Sequence, residues 1–158
     1  MPLLAFALIA GITLGVQFLL LGAIRVRRGV ARSVELNFLG AFAGLAAILV
    51  FQAHGTEVPL LALGAIASAV VLVLLTRSLP IYFGGVGLLA VVYLVASAVG
   101  VQRLGVGVTV ATVVAGQMFA SIMLDRIGAL GLVRREVTVG RALGAALVVV
   151  GAALMRLG

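Results

Sequence analysis

The groups that could carry acid–base or metal chemistry are few and scattered along this chain. It holds four acidic residues and one histidine, namely Glu35, His54, Glu57, Asp125 and Glu136. An enzyme needs convergent acid, base or metal-ligand groups, and these lie apart at the ends of apolar segments. The absence of cysteine also removes thiolate metal ligands. The sequence therefore predicts no enzyme, no cofactor and no metal site.

Uncharged polar side chains inside the apolar segments are the stronger candidates for binding. Gln17 and Gln117 each lie near the middle of an apolar segment, where an amide costs free energy unless it meets a partner or a wet cavity. Each could bond a neighbouring backbone carbonyl and hold two helices together, or contact a ligand. Ser121 shares a helix face with Gln117. Tyr93 and Ser97 form a similar pair four residues apart, suited to core packing or to a cavity wall.

Two carboxylates lie near the ends of apolar segments, and each has two interpretations. Glu35 follows Ser33 closely, so it falls in a first helical turn, where its charge complements the helix dipole and nearby arginines can pair with it. Asp125 ends its segment, where the dipole disfavours an anion, so an ion pair with Arg126 or a neighbouring arginine is one interpretation. For both residues the other interpretation is a proton- or cation-linked carboxylate.

The elements that must position these residues are transmembrane helices. The chain is 65% hydrophobic and only 9% charged, which fits no soluble domain. Apolar alternation typical of a membrane barrel is missing. We predict one domain over 1–158, an all-α polytopic transmembrane helix bundle with six crossings: 3–24, 34–52, 58–76, 82–101, 106–124 and 139–155. The short breaks between them make successive helices antiparallel neighbours.

The arginines predict the orientation of the bundle. The net charge of +7 suggests loops that obey the positive-inside rule, not a nucleic-acid surface. With six crossings, nine arginines share one side and only Arg103 and Arg156 lie on the other, so both termini are expected outside the cytoplasm. If 58–76 fails to cross, the split becomes six to five. That balance suits a five-crossing, dual-topology protein, but Val58–Leu75 carries no charge and would be costly to leave in water.

Several motifs resemble the YdcZ-like family, short bacterial members of the drug/metabolite transporter superfamily. Gly116-Gln117-Met118, then Ser121, Leu124-Asp125 and Gly128, with the apolar return Arg141–Met155, resemble its C-terminal half, and Gly84–Gly105 resembles the preceding helix. Near the N-terminus, Ala10-Gly11, Val16-Gln17, Gly29 and Asn37-Phe38 match its opening pattern. The resemblance covers about 82–157 and 10–44 but not 45–80. Leu21 replaces an asparagine that the family often has.

The resemblance implies a secondary transporter of the bacterial inner membrane, although the family is usually described with five helices. We expect it to move a small metabolite or amphipathic compound by alternating access, as a dimer or with a partner because six helices are few. The alternative is a non-transporting accessory subunit of a membrane complex. Asn37 joins the candidate substrate contacts as a family-matching position near Glu35. The partners expected are the lipid bilayer and a small molecule, with no nucleic acid.

Small residues are expected to let these helices approach closely. GxxxG spacings occur at Gly11/Gly15, Gly40/Gly44 and Gly140/Gly144, about as often as this glycine content gives by chance. Gly140, Gly144 and Gly151 fall on one face of the last segment. We predict that this face packs against another helix.

Overall fold

A computed structural model of the chain describes residues 2–52 and 58–157, and within them the secondary structure is helical. His54 and Glu57 lie outside the described residues. Short 3₁₀ turns at Ile81–Phe83 and Ala129–Gly131 lie between helices. The α-helices are α1 (Pro2–Gln52), α2 (Val58–Thr76), α3 (Val86–Leu104), α4 (Val106–Ile127) and α5 (Val139–Leu157).

The first two predicted segments form one long element that is folded at Gly29. Gly29 has φ 86° and ψ 171°, a conformation open essentially only to glycine. The Ser33 hydroxyl donates a hydrogen bond to the Leu21 carbonyl at 3.1 Å, although the two residues are twelve apart. In a straight helix they would be separated by about 18 Å, so the chain turns back on itself at Gly29. The break predicted between residues 24 and 34 is wrong in length, because one glycine suffices to reverse the chain.

The chain groups into two compact units. Unit 1 comprises residues 1–19 and 92–158, and unit 2 comprises residues 20–91. Unit 1 therefore contains the start of α1, most of α3, and all of α4 and α5. Unit 2 contains the rest of α1, α2 and the start of α3. The prediction of a single domain over residues 1–158 stays a prediction.

Arginines at the fold of α1 bind the end of α2 within unit 2. Arg28 donates to the Ser78 carbonyl at 3.0 Å, and Arg32 donates to the Leu75 carbonyl at 3.2 Å. Carbonyls at a helix C-terminus lack intrahelical partners and carry partial negative charge, so guanidinium groups suit them. The end of α2 thus lies beside the start of the second arm of α1 (residues 30–52), which makes these two helices antiparallel.

Helix α4 ends in a left-handed cap, and α5 returns beside it in unit 1. Gly128 has φ 62° and ψ 42°, and its backbone N–H donates to the Leu124 carbonyl at 3.1 Å. The Arg141 side chain then pairs with Asp125, which joins the first turn of α5 to the last turn of α4. Apolar residues of α4 and α5, among them Ala115, Phe119 and Val149, line a common groove. These contacts make α4 and α5 antiparallel neighbours.

Within the part of the chain that the structure describes, three helices are long and apolar enough to cross a membrane: Leu3–Gln52, Val86–Leu104 and Val106–Ile127. Two further apolar helical stretches, Ala62–Thr76 and Val139–Leu154, are shorter. Large apolar side chains such as Phe38, Phe51 and Leu147 are exposed along these helices, as expected for surfaces that face lipid. The described residues accordingly form a helical membrane protein, as predicted, and the six crossings stay a prediction.

Two of the three GxxxG spacings lie at helix contacts, and the third does not. A β-carbon on Gly44 would lie 2.9 Å from a methyl carbon of Val91, and one on Gly15 would lie 2.7 Å from the β-carbon of Ala120. By contrast, nothing in the described structure lies within 4 Å of a β-carbon placed on Gly140, Gly144 or Gly151. The prediction that this face of α5 packs against a helix is therefore wrong within the described chain. Glycine spacing on one helix cannot show whether a partner lies opposite.

Candidate functional site

A small uncharged cavity lies within unit 1, between α3, α4 and the start of α1. Its volume is about 270 Å³, just below the range of roughly 300–1,000 Å³ typical of small-molecule pockets. Four polar side chains and five apolar ones line it: Tyr93, Ser97, Thr109 and Gln117, with Leu14, Val101, Val110, Val113 and Val114. Such a lining suits a neutral ligand that has an apolar body and one or two hydrogen-bonding groups.

The polar groups of this cavity differ in their free hydrogen-bonding capacity. The Thr109 hydroxyl donates to the Gly105 carbonyl of its own helix at 2.7 Å, so its proton is already committed. The Ser97 hydroxyl oxygen is buried and has no hydrogen-bond partner among the described residues. A buried hydroxyl without a partner costs free energy, and a ligand or a water molecule in the cavity would offset that cost. Ser97 is therefore the clearest anchoring point in the cavity.

A single-residue turn at Gly105 positions the two walls of the cavity. Gly105 has φ 80° and ψ 163°, and α3 ends just before it while α4 begins just after it. The two helices approach closely above the turn, since a β-carbon on Gly100 would lie 2.7 Å from the Thr109 methyl group. This close approach places Ser97 and Thr109 on facing helices. The floor is apolar, where Ala10, Ala96 and Val113 are buried and Leu14 and Tyr93 pack against them.

The first arm of α1 (residues 2–28) supports the cavity through glycine contacts. A β-carbon on Gly11 would clash with the backbone carbonyl of Val113, and one on Gly15 would lie 3.3 Å from the Gln117 carbonyl. Gln17, two residues further along, is only 4% exposed, so its amide is enclosed by protein. It is not among the residues that line the cavity. Gln117 therefore lines the cavity, whereas Gln17 is buried elsewhere in unit 1.

The remaining predicted substrate contacts have different positions. Tyr93 lines the cavity together with Gln117. This agrees with the interpretation of Tyr93 as part of a cavity wall. The Ser121 hydroxyl donates to the Met118 carbonyl at 2.9 Å, and Ser121 is not a lining residue. Asn37 belongs to unit 2. Sequence analysis placed Ser97 beside Tyr93 but did not predict its unbonded hydroxyl, because that depends on which helix lies opposite.

Glu35 is paired on the surface of unit 2. Its carboxylate lies 3.1 Å from the guanidinium of Arg32, three residues earlier on the same helix, and about half of the Glu35 side chain is exposed. The pairing agrees with the interpretation as an arginine-paired residue. The predicted position in a first helical turn is wrong, because the helix continues unbroken from Gly29 and Glu35 lies beyond the first turn of that arm, where the dipole contributes little.

Asp125 is paired as well, at the opposite end of the sequence. Its carboxylate accepts a hydrogen bond from Arg141, and its backbone carbonyl accepts one from the backbone N–H of Arg135 at 2.9 Å. The partner is thus a neighbouring arginine and not the adjacent Arg126. The guanidinium offsets the unfavourable placement of an anion at the C-terminus of α4.

A second, charged cavity of about 730 Å³ lies at the loop that joins α4 to α5. Its lining includes Arg126, Arg134, Arg135 and Glu136. The Arg134 side chain already donates to the Arg126 carbonyl at 2.6 Å. These residues are exposed and belong to the loop, which fits a solvated arginine-rich segment at the membrane surface. Among the residues described, no three His, Cys, Asp or Glu side chains cluster as metal ligands would.

Comparison with known proteins gives one family. No curated protein and no solved structure matches the chain. The family described as "Putative inner membrane exporter, YdcZ" matches residues 2–154, including the stretch 45–80 where the sequence motifs gave no resemblance. Since the match covers nearly the whole sequence, this chain is a member of the YdcZ family, which carries that description.

Proposed function

We propose that the protein exports a small neutral amphipathic compound by alternating access around the cavity of unit 1. One observation carries the proposal: the buried, unbonded hydroxyl of Ser97 faces an uncharged cavity that Tyr93 and Gln117 also line. A charged solute would find no ion partner there, and desolvating it would cost several kcal/mol or more. Membership of a family described as inner membrane exporters supports export as the direction of transport.

Six crossings, with both termini outside the cytoplasm, form part of the proposal. The contacts of Arg28 and Arg32 with the end of α2 support it, because α2 then returns to the level at which the second arm of α1 began. If that arm crosses the bilayer, α2 crosses back. The nine-to-two distribution of arginines favours placing the fold of α1 in the cytoplasm.

A dimer, or a pair with a partner chain, also belongs to the proposal. The glycine face of α5 meets nothing within 4 Å in the described chain, and exposed Leu143 and Leu147 lie on the same helix. Small residues are the usual material of helix contacts in membranes. Such a face would equally suit the alternative role as an accessory subunit, so a transport measurement is needed to separate the two.

The experiment measures uptake of radiolabelled small neutral amides and alcohols into proteoliposomes, with amine and carboxylate analogues of similar size for comparison. We expect transport of neutral compounds alone and its loss in Gln117→Leu. The matched control is Gln102→Leu, since Gln102 is exposed on α3 away from the cavity. Equal losses in both variants, or transport only of the charged analogues, would contradict the proposed site. No transport of any compound would favour the accessory role.

A further inference from the structure

The two single-glycine turns are equivalent positions of an internal repeat. Gly29 and Gly105 are 76 residues apart, and both adopt the extended, positive-φ conformation that requires glycine. Each joins two helices with no other residue between them. Two of the chain's helix reversals thus share one rare geometry at a fixed spacing.

The helix contacts repeat with the same spacing of 76 residues. A β-carbon on Gly11 would clash with the Val113 carbonyl and lie 2.9 Å from the Gln117 nitrogen. A β-carbon on Gly87 would clash with the Asn37 carbonyl and the Ala41 nitrogen. Every residue of the first set lies 76 positions from its counterpart in the second: Gly11 with Gly87, Asn37 with Val113, and Ala41 with Gln117. The correspondence extends to the individual backbone atoms.

The reciprocal contacts agree. A β-carbon on Gly116 would lie 3.1 Å from the Gly11 Cα, and one on Gly40 would lie 3.0 Å from the Gly87 Cα. In unit 1, the first arm of α1 therefore packs against α4. In unit 2, α3 packs in the equivalent way against the second arm of α1. The two arms of α1 together with α2 form the first repeat, and α3, α4 and α5 form the second. Each repeat contains three helices, so if all of them cross, the two repeats have opposite orientations in the membrane.

The two repeats differ at one hydrogen bond. In the first repeat, the Ser33 hydroxyl donates across the fold at Gly29 to the Leu21 carbonyl. The equivalent residue of the second repeat, Thr109, donates instead to Gly105 in its own helix. The position equivalent to Leu21 is Ser97, and it lies in the cavity. A side-chain hydrogen bond thus joins the two arms of α1, whereas at the equivalent place between α3 and α4 there is a cavity.

We propose that the two helix pairs exchange these states, so that the cavity around Ser97 and Thr109 is open in one state and closed in the other. In the exchanged state, Thr109 donates to the Ser97 carbonyl and closes its cavity. Ser33 then donates to the Gly29 carbonyl, which releases the fold of α1. The inference rests on the proposed function and names the moving parts of the same site. Inverted repeats that exchange conformations are the general basis of alternating access in transporters.

The first test places single cysteines at Val30 and Val106, which are equivalent and exposed. The native chain has no cysteine, so each variant carries one label site. In intact cells, a membrane-impermeant maleimide should label one position from outside and the other only after the membrane is opened. Labelling of both from the same side would overturn the inverted repeat. The readout requires no substrate, so a failure of transport and a failure of the repeat are distinguishable.

The second test measures the maleimide labelling rate of Ser97→Cys in two further backgrounds. Ser33→Ala removes the tie of the first repeat, favours the exchanged state and should slow labelling severalfold. In its other state each hydroxyl bonds a carbonyl of its own helix, and losing that bond costs little, since the Gly105 carbonyl also accepts the backbone N–H of Thr109. Thr109→Val therefore acts mainly by removing the tie that the exchanged state needs and should speed labelling. Thr109→Ser keeps the hydroxyl and should restore the original rate. Shifts in the same direction, or no shift in either background, would overturn the exchange. If one of the two backgrounds elutes as an aggregate, Leu21→Cys is labelled in the remaining background. Its labelling rate should then shift in the direction opposite to that of Ser97→Cys.

Discussion

The backbones of Gly11 and Gly116 touch, since a β-carbon on Gly116 would lie 3.1 Å from the Gly11 Cα. A methyl group there would also clash with the Leu8 carbonyl. Backbone atoms cannot move aside as a flexible side chain can, so the helices would have to separate. This contact fixes the distance between the first arm of α1 and α4, and with it the width of the cavity.

We therefore expect Gly116→Ala to lower the free energy of unfolding by about 1–3 kcal/mol, the usual cost of overpacking. The measurement is thermal unfolding in detergent, followed by loss of the monodisperse elution peak. Gly64→Ala is the matched control, because its new methyl group would lie 3.5 Å from the Phe42 ring, an ordinary van der Waals contact. It should be neutral or gain up to about 1 kcal/mol from helix propensity. Equal destabilisation by both substitutions would contradict the close contact.

The topology of α2 can be tested at three exposed positions. Val26→Cys and Ser78→Cys lie near the fold of α1 and the end of α2, which Arg28 joins. We expect a membrane-impermeant maleimide to label both from the cytoplasmic side, and Gln102→Cys from the other side. Position 78 on the side opposite to position 26 would mean that α2 does not cross. An equal mixture of orientations at each position would revive the five-crossing, dual-topology alternative.

Asp125 and Arg141 form one ion pair, but removing the arginine should destabilise the protein more than removing the carboxylate does. Arg141→Gln leaves an anion at the C-terminus of α4, where the dipole disfavours it, whereas Asp125→Asn removes both the attraction and that repulsion. Each effect is of the order of 0.3–1 kcal/mol because the pair is partly exposed. We therefore expect Arg141→Gln to lower the unfolding temperature more than Asp125→Asn does.

The double variant provides the control for this pair. Adding Asp125→Asn to Arg141→Gln should recover part of the lost stability, since the unpaired anion is then gone. Additive losses in the double variant would show that the two side chains act independently.

Glu35→Gln should fold normally and keep transport with an unchanged pH dependence. The paired carboxylate is half exposed, and an exposed pair of this kind contributes only about 0–1 kcal/mol. The measurement is uptake into proteoliposomes over a range of pH, with Glu35→Asp as the control that keeps a carboxylate at this position. A Glu35→Gln protein that folds but moves no substrate against a proton gradient would identify Glu35 as the coupling group.

The sequence by itself determined the class of protein and most helix boundaries. Apolar segments predicted at 58–76 and 106–124 correspond closely to α2 and α4, because a membrane helix must be apolar along its length and must end where charge appears. It also identified Gln117 and Tyr93, since an uncharged polar residue in such a segment requires a protein environment. Arginine pairing of Glu35 followed from charge and proximity along the chain, whereas the partner of Asp125 is Arg141, 16 residues away on α5.

Only the tertiary structure decided which faces meet. Gly11 and Gly140 begin identical GxxxG spacings, yet the first touches a neighbouring backbone and the second faces open space, because a pattern on one helix carries no information about its partner. The predicted break before residue 34 likewise proved to be Gly29 alone, because an unusual backbone conformation at one residue replaces a loop. The equivalence of Gly11 with Gly87 became significant only through the contacts. Each glycine meets backbone atoms of a helix distant in sequence, and three-dimensional packing alone brings those helices together.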